Sequence, residues 1–213
     1  MGKVKKPKIR RIKLIVITHD TFFSDESAIL NFLLIRGLKI LHIRKPKSSI
    51  DEVRSLIGKI HESLRPQIVL HDHYELANEF NIGGIHLNDR NGYNHKVREG
   101  LTISRSCHSL KEVLISKEYD YLFLSPIFDS ISKPGYRSAF PIDRLMRAKN
   151  RKVINERIIA LGGITQENVY TIRECGFGGI AVLGAIWNQF FIDKSYTELR
   201  RRYEALKSSC IWL

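Results

Sequence analysis

The sequence predicts an α/β fold, a single-domain (β/α)8 barrel of the TIM type. Three observations carry this. Eight short β-branched or apolar runs recur along the 213 residues. Helical patterns separate most of them, and strand–helix alternation points to a parallel sheet. The length suits a small barrel, which runs to about 200–250 residues. The rival is a doubly wound open sheet, marked by GxGxxG after its first strand. Here the first strand runs instead into Thr18-His19-Asp20.

The strands are read at 14–18 (LIVIT), 39–43 (KILHI), 67–70 (QIVL), 84–87 (GIHL), 101–104 (LTIS), 121–124 (YLFL), 157–161 (RIIAL) and 179–183 (GIAVL). A helix is expected over 25–36, with Ile29, Phe32, Leu33 and Ile35 as its apolar positions. A second, over 50–64, gathers Val53, Leu56, Ile57, Ile60 and Leu64 on one face. Residues 109–117 open with Ser109 and Glu112, the spacing of a capping box. Thr165 and Asn168 repeat that device before 165–174, and 196–207 reads as a closing amphipathic helix.

Composition narrows the classes further. A chain 43% hydrophobic and 27% charged is neither collagen-like, low-complexity nor wholly disordered. No apolar run approaches the roughly 20 residues of a membrane span, so no membrane partner is expected. The net charge is +13, and the first thirteen residues supply seven basic side chains and no acidic one. They read as a solvated basic tail, 1–13, ahead of a barrel domain at 14–213. No aromatics are interleaved with that run to stack on bases, so a nucleic-acid partner is not expected. Cys107, Cys175 and Cys210 are widely spaced and form no CxxC, which fits a reducing cytoplasm. The eight histidines show no HExxH, and no transition-metal site is expected.

In such a barrel, functional groups sit where strands end at their carboxyl edge. The polar residues fall there: His42, Arg44 and Lys45, then His71-Asp72-His73, then His86 with Asn88-Asp89-Arg90, then Arg105 to His108. Five of the eight histidines lie at this edge. Gly162-Gly163 after the seventh strand and Gly184 after the eighth free the backbone for close approach to a phosphate, at a frequent phosphate site of this fold. After the sixth strand, Ser130 and Ser132 alternate ahead of Lys133, a set suited to an anionic group on a loop able to close over the mouth.

Several segments then resemble the thiamine phosphate synthase and thiazole tautomerase family. They are HIR at 42–44, IVLHD at 68–72, GIHL at 84–87, SCHSLKE at 106–112, DYLFLSPIFDSISKPGY at 120–136, IALGGITQENV at 159–169 and GFGGIAVLGAIW at 176–187. The resemblance implies a barrel enzyme of thiamine biosynthesis that binds thiazole phosphate. It assigns Ser106, Ser130, Ser132, Lys133, Gly162, Gly163 and Gly184 to the thiazole half. His42, Arg44 and His71 go to the second substrate.

Departures from the synthase pattern favour the tautomerase, an isomerase that aromatises the thiazole phosphate carboxylate without a cofactor. His42 stands for a glutamine, Pro46 for a lysine, His71 for an asparagine, and Asn91 for a metal-binding aspartate. The alternative is the synthase, a transferase using Mg²⁺ with Asp72 as a ligand. A second alternative is a non-catalytic regulatory protein that binds thiazole phosphate. His108 is the candidate proton carrier, because an imidazole both takes and gives a proton near neutral pH. Lys133 is the second candidate catalytic group. The sequence leaves a homo-oligomer open.

Overall fold

A computed structural model of the chain describes residues 10–88, 97–129, 138 and 140–212. The eight expected strands form one closed parallel barrel, arranged in chain order. They are β1 (Lys13–Ile17), β2 (Ile40–Ile43), β3 (Ile68–Leu70), β4 (Gly84–Leu87), β5 (Thr102–Cys107), β6 (Tyr121–Leu124), β7 (Ile158–Leu161) and β8 (Gly179–Val182). The last closes on the first, with Leu14 beside Ile180 and Val16 beside Val182. β5 continues through Cys107, so Arg105 and Ser106 lie within the strand and not beyond it.

The described helices are α1 (Glu26–Ile35), α2 (Ile50–Gly58), α3 (Leu76–Glu79), α4 (Leu110–Ile115), α5 (Ile142–Asn150), α6 (Val169–Glu174), α7 (Gly184–Asp193) and α8 (Tyr196–Ser209). α3, α5 and α7 were not among the expected elements. α1 buries Ile29, Leu30, Leu33 and Leu34, whereas Ile35 is 71% exposed, so the apolar face is turned from the expected one. α2 stops short at Gly58 and is followed by a 3-10 turn at Glu62–Gln67 that contains Pro66. Ser49 and Glu52 close a full capping box at the start of α2. At α4 the Ser109 hydroxyl accepts the Glu112 N–H at 3.1 Å, and the Glu112 carboxylate reaches back one residue further, to the His108 N–H at 2.9 Å. Ahead of α6, Asn168 accepts the Thr165 N–H at 3.0 Å.

Two apolar cores result from the alternation of side chains along each strand. One lies between the barrel wall and the helices and includes Val16, Leu41, Ile43, Leu70, Ile85, Leu122 and Leu124. The other fills the barrel interior with Ile15, Ile17, Tyr121, Phe123, Ile159 and Ala181. The interior is not apolar all round. On the side of β2 to β5 the buried side chains include the polar His42, His86 and Ser104 beside Val69, with His71 just past the end of β3.

Inside the expected tail, Arg10 and Arg11 pair antiparallel with Trp212 and Ile211, and Lys13 opens β1. The paired ends close the amino-terminal side of the barrel, opposite the candidate site. Residues 1–9 lie outside the described residues. Among the described residues no helix is long and apolar enough to cross a membrane.

Candidate active site

The carboxyl edge is stitched together by backbone and hydroxyl contacts. Thr18, after β1, donates its N–H to the His42 carbonyl at 2.9 Å. Its hydroxyl receives the Arg44 N–H at 2.9 Å. Arg44 is thereby held half-buried at the end of β2. Lys45, the next residue, does not reach the mouth. It is 1% exposed and donates to both oxygens of the buried Glu26, at 2.7 and 2.9 Å, and to the Thr21 carbonyl at 2.9 Å. Lys45 therefore ties the β1–α1 loop to the β2–α2 loop and does not stand in for the lysine replaced by Pro46. Burial pushes the Glu26 carboxyl up and the Lys45 ammonium down, while their mutual hydrogen bond and charge oppose both shifts.

The polar part of the interior is a hydrogen-bonded histidine cluster. His42 Nδ1 lies 2.8 Å from His71 Nε2, and His42 Nε2 lies 2.6 Å from the Tyr121 hydroxyl. His86 is held at both nitrogens, Nδ1 by Ser104 at 2.8 Å and Nε2 by Ser106 at 2.9 Å. The rings of His71 and His86 stack at 4.3 Å, and His42 stacks on Phe123 at 4.9 Å. Desolvation holds His42 well below the ordinary imidazole range, aided by the nearby His86, and burial brings His86 down to about 3. Both rings are neutral at physiological pH.

The three imidazoles bring one nitrogen each within 4.8 Å of one another, a grouping that no spacing in the sequence announced. Their bonding is that of a polar core. The facing nitrogens of His42 and His71 share one proton. Both nitrogens of His86 are engaged by serines.

The structure thus sorts the expected residues. His42, expected to contact substrate, is fully buried with both nitrogens hydrogen-bonded and stands behind His71. His71 is 5% exposed, at the end of β3, and Asp72 follows it half-buried. Ser106 turns its hydroxyl inward to His86. His108 is exposed at the end of β5, with Nδ1 3.3 Å from the Ser125 carbonyl. Ser130, Ser132 and Lys133 lie outside the described residues, as do Asp89, Arg90 and Asn91. Tyr121 and Ser104 were absent from the expected site, and His86, expected at the rim, is turned into the interior. Their signal was polar residues at every second position of strands whose other face is apolar.

Gly162 and Gly163 adopt positive φ, +97° and +64°. They admit the segment after β6, whose Ile127 and Phe128 N–H groups donate to the Leu161 and Gly162 carbonyls at 3.0 and 3.1 Å. A β-carbon on Gly163 would fall 2.3 Å from the Asp129 carbonyl. Gly163→Ala is therefore expected to cost about 3 kcal/mol or more of stability, combining left-handed strain with a backbone clash. Urea unfolding checks this, and a loss below about 1 kcal/mol would contradict it. Gly184 begins α7, where Trp187 donates its indole N–H to the Ile17 carbonyl at 2.7 Å and fixes the helix against β1.

A closed parallel barrel whose polar side chains collect at the carboxyl edge defines the chain as a (β/α)8 barrel with its candidate site at that edge. Residues 14–186 match the family model for thiamine monophosphate synthase, and the chain belongs to that family. It is 29% identical over 204 residues to a thiamine-phosphate synthase of Methanococcus maripaludis, covering 91% of this chain and 97% of that one. A thiamine-phosphate synthase of Limosilactobacillus reuteri is 28% identical over 145 residues, which span 64% of this chain and 66% of that protein. Among solved structures, thiamine phosphate pyrophosphorylase from Bacteroides thetaiotaomicron is 39% identical, with a TM-score of 0.84 over 93% of this chain and 97% of that one.

Proposed function

We propose that the protein is a thiamine-phosphate synthase, a transferase joining thiazole phosphate to a pyrimidine methyl diphosphate. The observation that carries this reading is the near full-length likeness to proteins of that name, 97% of the Methanococcus maripaludis protein included. The expectation of a tautomerase gains no specific support from those relatives. In the proposed reaction the thiazole nitrogen attacks the pyrimidine methylene carbon. A C–N bond forms as the C–O bond to diphosphate breaks, and pyrophosphate carries away the electron pair. No proton transfer is required.

The residues divide by chemistry. Arg44 supplies a permanent cation for the leaving diphosphate. His71, backed by His42 and Tyr121, meets the pyrimidine. The glycine turn after β7 and the start of α7 at Gly184 receive the thiazole phosphate, and Ser130, Ser132 and Lys133 are assigned to it by the resemblance. Asp72 would hold Mg²⁺, which when bound neutralises diphosphate charge. One carboxylate completed by substrate oxygens matches the habit of this ion. The neighbouring imidazoles suit softer metals.

A second reading, the isomerase, is kept by one observation: the His108 imidazole stands exposed at the rim beside Ser125, available as a proton carrier. One assay separates the readings. Purified protein receives thiazole phosphate, pyrimidine methyl diphosphate and Mg²⁺, and in a parallel vessel the thiazole phosphate carboxylate alone. Release of pyrophosphate with thiamine phosphate in the first is the expected result. Isomerisation in the second with no product in the first would overturn the proposal. Binding of thiazole phosphate with turnover in neither would leave the regulatory reading standing in its place.

A further inference from the structure

We infer that a cleft at the amino-terminal end of the barrel, opposite the candidate active site, is a second binding site, and that it takes a small carboxylate whose apolar body is one ring in size. The cleft encloses about 200 Å³ between the ribbon of paired chain ends, the turn joining α1 to β2, and the end of α8. An apolar cavity of roughly 150 Å³ holds a benzene ring. The volume here therefore suits a single ring on a short arm. It is too small for a drug-sized ligand, which needs roughly 300 Å³ or more.

The walls set the body of the ligand. Ile12, Leu14, Leu38 and Ile40 line the cleft. Such walls favour apolar surface and penalise polar groups left without a partner.

The rim sets its charge. Arg11, Lys13, Lys39 and Lys207 line the cleft, and among the described residues no carboxylate does. Lys207 donates to the Arg36 carbonyl at 2.6 Å and lies 4.0 Å from the Glu204 carboxylate, while Lys13 donates to the Glu156 carbonyl at 3.5 Å. Arg11 and Lys39 are exposed, and neither side chain has a hydrogen bond or ion pair among the described residues. The two lining groups able to become anionic stay neutral. Burial pushes the Tyr203 phenol up, and the Cys210 thiol up to about 12. The buried Tyr203 hydroxyl also has no hydrogen-bond partner among the described residues, so the chain leaves a polar group of this floor unmatched. Four cations around one apolar cleft select an anion. A monoanion is favoured over a phosphate dianion, because taking the dianion from water beside apolar walls costs more.

The test reads the cleft directly. Full-length protein with ¹³C-labelled isoleucine methyl groups is titrated with phenylacetate, and separately with phenethylamine, a cation of nearly the same size. Ile12, Ile40 and Ile211 line the cleft, and single substitutions to Val identify their signals by loss. Phenylacetate is expected to shift these methyls with a Kd of about 1 mM or tighter, within reach of a ligand of about ten non-hydrogen atoms. Phenethylamine should leave them in place. Arg11→Glu combined with Lys39→Glu should weaken phenylacetate binding by about tenfold, with the melting temperature as control for folding, and added salt should weaken it in the parent. No methyl shift at about 20 mM phenylacetate, an equal response to phenethylamine, or an unchanged Kd in the doubly substituted protein would each overturn the inference. So would shifts confined to isoleucines such as Ile127 and Ile164, beyond the carboxyl ends of β6 and β7. The readout is independent of turnover, so the inference stands or falls apart from the proposed reaction.

Discussion

Asp72→Asn is expected to lower thiamine phosphate formation by about 100-fold or more and to raise the Mg²⁺ concentration needed for half-maximal rate. The substitution keeps size and removes one negative charge from the end of β3. Mg²⁺ prefers anionic oxygen, and its stabilisation of transition-state charge amounts to several kcal/mol, of which each ~1.4 is tenfold in rate. On the proposed reading Asp72 takes the metal position that falls within the described residues, whereas Asn91, at the other, lies outside them. With a neutral residue replacing the second carboxylate, dependence on the first should be stronger than in a two-carboxylate site. Steady-state rates at several Mg²⁺ concentrations check this, with the melting temperature as control for folding. A rate within threefold of the parent at every concentration would remove Asp72 from the metal's place.

The legibility of this chain divides along physical lines. Strand runs such as Leu122-Phe123-Leu124 and Ile158-Ile159-Ala160 are apolar on both faces, because the barrel buries one face under helices and fills the interior with the other. Such runs stand out in composition, and all eight strands were read to within three residues. Helices were less legible. α5 holds only Leu145 and Ala148 as buried positions among five charged or amide side chains, so its period is faint. α7 begins straight after the eighth strand, and its aromatic run reads as continuing core.

The rim was legible because polar residues follow apolar runs. The interior cluster was not, since its members are scattered over β2, β4, β5 and β6 and meet only when the barrel closes. His42 looked like a rim residue by its place near the end of β2. Its role as the link between Tyr121 and His71 depends on which face of the strand it occupies, and on a tyrosine 79 positions away. Lys45 shows the same limit. Sequence position set it among rim cations, whereas the turn after β2 sends it back to Glu26 on the first helix.

That buried pair makes the second large effect. Lys45→Met is expected to destabilise the protein by about 3–5 kcal/mol, because it strands the Glu26 carboxylate in a site 2% exposed. The pair itself contributes much less than this, since removing both ions from water offsets most of their attraction. Glu26→Leu in the Lys45→Met background should therefore recover most of the loss, which a lost contact alone would not allow. The double substitution leaves the apolar stem of residue 45 packed near Phe22, whose ring now lies 4.5 Å from the ammonium. It also removes one tie between the β1–α1 and β2–α2 loops beside Arg44, whose N–H stays on the Thr18 hydroxyl. Recovered stability with catalysis still reduced would identify the pair as a brace for the diphosphate side of the site. Full recovery of both would assign it to folding alone, and a Lys45→Met protein as stable as the parent would contradict the burial on which the prediction stands.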